Sequence, residues 1–199
     1  MFTRSRGVTL VELIVFMVIV AVALAGLFGA FSTMTRGSAD PQVRKQVLAI
    51  AESLMEEVQL MPFTYCDPDD PNAATTTTGT AGCTGGANGP NDESRLVSGN
   101  LGPETAGSLG GAEGRYASPQ FDNVSDYHGF AMGPGILNLA MVAVSGLEAY
   151  SASIGVTQAG LAGIAADQAL KISVTVTGPG GVSVTLDGYR TRYAPNTTP

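Results

Sequence analysis

Residues 1–31 read MFTRSRGVTLVELIVFMVIVAVALAGLFGAF, and everything downstream is interpreted from this stretch. From Val8 to Phe31, 24 residues carry a single charged side chain, Glu12. As a helix this run is roughly 36 Å long, enough to cross a bilayer core of about 30 Å. Arg4 and Arg6 precede it, which favours a cytoplasmic leader and an exported C-terminal part. An ordinary secretory signal has a shorter apolar region followed by a small-residue cleavage site. Here the small residue, Gly7, comes before the apolar run, so cleavage after it leaves the hydrophobic segment on the mature chain.

Glu12 is the anomaly in that segment. A carboxylate within a membrane span costs a few kcal/mol even on lenient insertion scales, unless it reaches the headgroups or finds a cation. Cleavage after Gly7 would place a new α-amine on Val8, four residues before Glu12. Pairing that amine with a carboxylate, its own or a neighbour's, neutralises both charges in an apolar bundle.

The residues after the span predict a second helical stretch. Asp40-Pro41 restricts Asp40 away from helix and offers an N-cap and first-turn proline, so a weak point is expected near Gly37–Pro41. Val43, Val47, Ala51, Leu54, Met55 and Val58 then form one apolar stripe, with Glu52, Glu56 and Glu57 on the other faces. Met61-Pro62 ends the helix. Residues 62–118 are rich in Gly, Pro, Thr and Asp and supply little core, with Arg95-Leu96-Val97 as a short candidate strand. Strand signals follow at 136–144, 150–156, 170–176 and 182–186, the last two joined by the turn Gly178–Gly181. The expected fold is α+β: a long N-terminal hydrophobic helix packed on a C-terminal antiparallel sheet, with a long disulfide-containing loop region between them. The segments are 1–7 as leader, 8–31 as membrane helix, 32–61 as its continuation, 62–135 as loops and 136–199 as sheet.

Composition and candidate sites restrict function further. The formal charge of −7 opposes binding to phosphate backbones, so no nucleic-acid partner is expected. Cys66 and Cys83 lie on the exported side, where a disulfide is the default; two cysteines and the single His128 lack zinc-ligand spacing. Asp67, Asp69, Asp70 and Asn72 cluster inside the cysteine loop, and Asp122, Asn123 and Asp126 form a second acidic group. Either could supply calcium ligands, yet the EF-hand spacing is missing, and turn capping explains the same residues without an ion. No cofactor is therefore assigned, and calcium stays open. Ser125, Asp126 and His128 lie too close in one loop to predict a nucleophile–base–orienter geometry, so no catalytic residue is expected. Gly178–Gly181 lacks the Lys-Ser/Thr of a phosphate loop.

The segment Arg6-Gly7-Val8-Thr9-Leu10-Val11-Glu12-Leu13 resembles the prepilin signature of type IV pilins and type II secretion pseudopilins. That resemblance implies a membrane peptidase that cuts after Gly7 and methylates Val8. It makes Glu12 the fifth mature residue, which in that family guides subunit registration. Val8 departs from the Phe usual at the first mature position and keeps its apolar character. The chain is also similar to MshD-type minor pilins of mannose-sensitive haemagglutinin (MSHA) pili. The similarity lies in Ser38–Gln46, Ala49–Leu54, Thr64–Asp70 and Phe121–Tyr127, while Leu54-Met55-Glu56-Glu57 is similar to minor pseudopilins. The resemblance implies a non-enzymatic subunit with prepilin peptidase and other pilins as partners. It implies a single pass of the inner membrane with a periplasmic head, and then a place in a surface filament. A membrane-anchored periplasmic binding protein or enzyme is the alternative of another class.

Overall fold

A single helix, α1, runs Leu10–Leu60, and its two ends have different jobs. The computed structural model describes residues 7, 9–93, 101–104 and 111–193, without the side chains of 33–40. It divides into two units, Met1–Gln42 and Val43–Pro199. In the first unit, Leu10–Ser32 is long and apolar enough to cross a membrane, and none of it is buried. Leu10, Phe16, Val22 and Phe28 each expose about two-thirds or more of their surface.

The helix runs unbroken through the weak point expected near Gly37–Pro41, as the continuation expected for 32–61. Pro41 lies inside α1, so Asp40 is not the N-cap of a second helix. The proline ring already holds a helical φ, although an interior proline removes one N–H donor and crowds the carbonyl four residues before it.

In the second unit, α1 presents Val47, Ile50, Ala51, Leu54, Met55 and Val58 at helical spacing, all buried. They share one core with the sheet. The strands are β1 (Ala131–Met132), β2 (Ser151–Gln158), β3 (Ala169–Thr177) and β4 (Ser183–Thr191), in the order β1-β2-β3-β4 with every pairing antiparallel. Period-two alternation buries Ala152, Ile154 and Val156 from β2, and Leu170, Ile172, Val174 and Val176 from β3. Each fully buried aliphatic side chain here contributes roughly 1.5–3 kcal/mol relative to exposure. The other face is polar: Ser173 donates to Asp187 at 2.6 Å, Lys171 pairs with Asp187 at 2.9 Å, and Thr175 faces Thr185 at 2.9 Å.

Two sequence expectations are corrected. Residues 136–144 do not form a strand. They fold into a tight loop closed by an isolated Leu137–Ala143 bridge, with the Asn138 side chain accepting from the Ala140 and Val142 N–H groups at its tip. Leu139, Met141 and Val142 stay exposed, and the edge strand is β1 instead. Asn138 offers the backbone a local partner that competes with a ladder. Glu57, read as lying off the apolar stripe, is half-buried and forms a two-armed ion pair with buried Arg115 at 2.7 Å on each arm. Tyr127 also donates to Glu57, at 3.0 Å, and Arg115 reaches the Leu137 carbonyl at 3.2 Å. This network ties the loops around 115, 127 and 137 to the helix. The candidate strand at Arg95–Val97 lies outside the described residues.

Candidate functional sites

The N-terminal site begins at Gly7, which is exposed. Val8 lies outside the described residues, and so does any pairing of its amine with Glu12. Thr9 starts the helix: its hydroxyl oxygen accepts from the Glu12 N–H at 3.3 Å, and its carbonyl accepts from the Leu13 N–H at 3.2 Å. Thr9-x-x-Glu12 is thus an N-cap signal that the sequence carried openly and that the reading above did not use. It places the Glu12 carboxylate in the first turn, where the helix dipole favours negative charge.

Cys66 and Cys83 are joined, with their Cα atoms 5.4 Å apart. The bond closes a small buried cluster with Ala73, against Tyr65. Asp70 serves this loop entirely: its carboxylate accepts from the Asn72 N–H at 2.8 Å, the Thr84 N–H at 2.7 Å and the Thr84 hydroxyl at 2.9 Å. These bonds are those of turn capping.

The remaining acidic candidates behave differently. The two groups read separately from the sequence converge into one. Carboxylate oxygens of Asp67, Asp69, Glu113 and Asp122 lie within 4.8 Å of one another, as do those of Asp67, Glu93 and Glu104, and those of Glu104, Glu113 and Asp126. Asp67, Glu93, Glu104 and Asp126 are buried. Capping uses half of two of them. Asp67 Oδ1 accepts from the Asp69 N–H at 2.6 Å, and Asp126 Oδ2 accepts from the Asn123 N–H at 2.7 Å and the Asp122 N–H at 3.1 Å. Asp67 Oδ2 and Asp126 Oδ1 are buried without a hydrogen-bond partner.

Electrostatics agree with that crowding. Burial is the leading cause that raises Asp67, Glu104 and Glu113 to about 7 and Asp122 to about 8, and neighbouring carboxylates add to it. Asp126 is also raised, by burial first and then by Glu93, Glu104 and Glu113. Glu93, Glu104 and Glu113 sit singly in glycine-rich loops, and no spacing in the sequence marks them; only the folded loops bring them together.

The residues of the tempting triad are each occupied elsewhere. Ser125 donates to Glu93, Asp126 caps the turn before it, and His128 Nδ1 accepts from the Val156 N–H at 3.2 Å.

Residues 2–28 match the prokaryotic N-terminal methylation motif. No curated protein and no solved structure matches the chain. The matched residues take in Gly7, Thr9, Glu12 and most of the exposed apolar helix. The chain therefore carries at its N-terminus the methylation motif of type IV pilin-like proteins, overlapping a helix whose length and composition suggest membrane anchoring.

Proposed function

We propose that this chain is a minor, non-catalytic subunit of a type IV pilus of the MSHA kind, assembled through α1 after its leader is removed. The observation that carries the reading is the methylation motif, whose matched residues take in most of an apolar helix with no buried residue. A helix apolar all round needs lipid or other helices about it. Before assembly the inner membrane serves; in a filament the same surface packs on neighbouring pilin subunits. Prepilin peptidase is the processing partner, Gly7 the residue before the cut and Val8 the methylated terminus. Glu12 then stands four residues from the new amine. A type II secretion pseudopilin would share these mechanics, and the resemblance of Ser38–Gln46 and Phe121–Tyr127 to MshD-type pilins favours the pilus.

The test is the mass and N-terminal residue of protein extracted from membranes of a peptidase-positive host. The expected product starts at methylated Val8, and losing Arg4 and Arg6 takes the formal charge from −7 to −9. A mature chain that still begins at Met1 overturns the reading. Recovery of the subunit in sheared surface pili then separates pilus from secretion machine.

A further inference from the structure

We propose that Asp67, Glu93, Glu104, Glu113, Asp122 and Asp126 form a binding site for a calcium-class divalent cation that crosslinks the loops of residues 62–130. The site does not depend on the filament reading. Three groups of carboxylate oxygens, each within 4.8 Å, are linked because Asp67, Glu104 and Glu113 each belong to two of them. A merely solvated acidic patch is exposed, whereas four of these six residues are buried. The independent observation is the set of orphaned oxygens. Asp67 and Asp126 have no exposed surface, and each keeps one oxygen that no donor satisfies. Buried carboxylate oxygens without partners are costly, and a cation is the ligand that satisfies several at once.

The donor set selects the ion. Every candidate ligand is a hard oxygen; both cysteines are in the disulfide and His128 is bonded to Val156, so soft-metal ligation has no donors in the group. Calcium accepts six to eight oxygens in flexible geometry, while magnesium demands a near-ideal octahedron and retains water. Clustered carboxylates from five separate stretches of loop fit the former. Among the described residues, protein cations are few nearby. Arg115 is committed to Glu57. Arg192 feels the Glu93 charge but lies over the Phe63 and Tyr65 rings, at 3.8 and 4.2 Å from their centroids. An access route exists: Asp122 and exposed Asp69 line a cavity of about 840 Å³ that Arg190 and Tyr193 also border.

The structural consequence follows from the sequence of the region. Among the described residues of 62–130, regular structure is limited to one short 3-10 turn, Ser125–Tyr127. The disulfide and the Glu57–Arg115 pair fix parts of it. An ion holding Asp67, Glu93, Glu104, Glu113 and the 122–126 turn together would fix the rest, and would replace mutual repulsion by shared attraction.

The experiment uses the full chain in detergent, stripped with chelator, and titrated calorimetrically with CaCl2 and separately with MgCl2. The expected result is at least one Ca²⁺ per chain, bound more tightly than Mg²⁺. At a hundredfold excess over Kd, Ca²⁺ should raise Tm by roughly 5–10 °C. Glu113→Gln, which changes a carboxylate belonging to two of the three groups, should weaken Ca²⁺ binding about tenfold or more. Glu52→Gln, on the exposed face of α1, should bind as the wild type does. If Glu113→Gln does not fold, half-buried Asp122→Asn carries the same expectation. Absence of Ca²⁺ binding at millimolar concentration, identical Tm in Ca²⁺ and chelator, or unaltered affinity in both variants overturns the site. Equal affinity for Mg²⁺ overturns its calcium class.

Discussion

At the residue scale, Glu12 carries two physical roles that separate by mutation. Its backbone N–H donates to the Thr9 hydroxyl, so it helps start α1, and its side chain sits where the helix dipole favours a negative charge. The proposed assembly role needs the charge itself, as counterpart to the Val8 amine. Glu12→Gln keeps a capping-competent side chain and removes the charge; Glu12→Ala removes both. Either change should ease membrane insertion. The second unit, Val43–Pro199, has its own core and should fold normally in both variants. Both variants should be processed and retained in the membrane yet enter filaments at a small fraction of the wild-type level. The ratio of this subunit in sheared pili to its total in the membrane reads this out. Wild-type incorporation of Glu12→Gln would show that the carboxylate acts only as a helix-start residue.

At the element scale, the approach of α1 to the sheet depends on two glycines with different tolerances. A Cβ on Gly178 would stand 2.8 Å from the Tyr150 ring and 2.9 Å from Val47 Cγ2. Tyr150 is buried and held by Gln46 through its hydroxyl, so neither neighbour can swing aside. A Cβ on Gly188 would meet Gln59 Nε2 at 2.7 Å and Met55 Sδ at 2.8 Å, both near the ends of flexible side chains. Gly178→Ala should therefore destabilise by about 1–3 kcal/mol, the usual cost of overpacking. For a chain of this length that lowers Tm by roughly 2–12 °C. Gly188→Ala should cost less than half as much. Thermal melting of the two variants side by side checks the order, and a larger loss for Gly188→Ala would show that the helix–sheet spacing is set elsewhere.

At the scale of the whole molecule, the carboxylate group makes the stability of the ion-free protein depend on pH in an unusual direction. Asp67, Glu104 and Glu113 titrate at about 7 and Asp122 at about 8 in the fold, above ordinary carboxylates near 4. Between those limits the folded chain binds more protons than the unfolded one, so stability falls as pH rises. It is fully present below about pH 4 and lost through pH 7–8. Glu93, Asp69 and Asp70 face these groups with the same sign, and the Arg192 cation near Glu93 opposes them. The lowered carboxyls of exposed Asp187 and Glu148 act below this window. In chelator, Tm at pH 8 should be lower than at pH 5, and Ca²⁺ should narrow the gap; an equal or higher Tm at pH 8 in chelator contradicts the burial of these groups. By itself the sequence determined the elements governed by local rules: the anchor helix from one apolar run, the apolar stripe at 43–58, and strands β2–β4 from period-two alternation. The pairing of Cys66 and Cys83, expected from the sequence, is also present. Tertiary structure decided what depends on contacts between distant segments. Glu57 turns inward to Arg115, which comes from a loop far along the chain. The fold likewise gathers Glu93, Glu104 and Glu113 with two aspartate turns. Glycine-rich loops carry no periodicity from which such encounters can be read, because their paths are set by the core and crosslinks around them and not by their own residues.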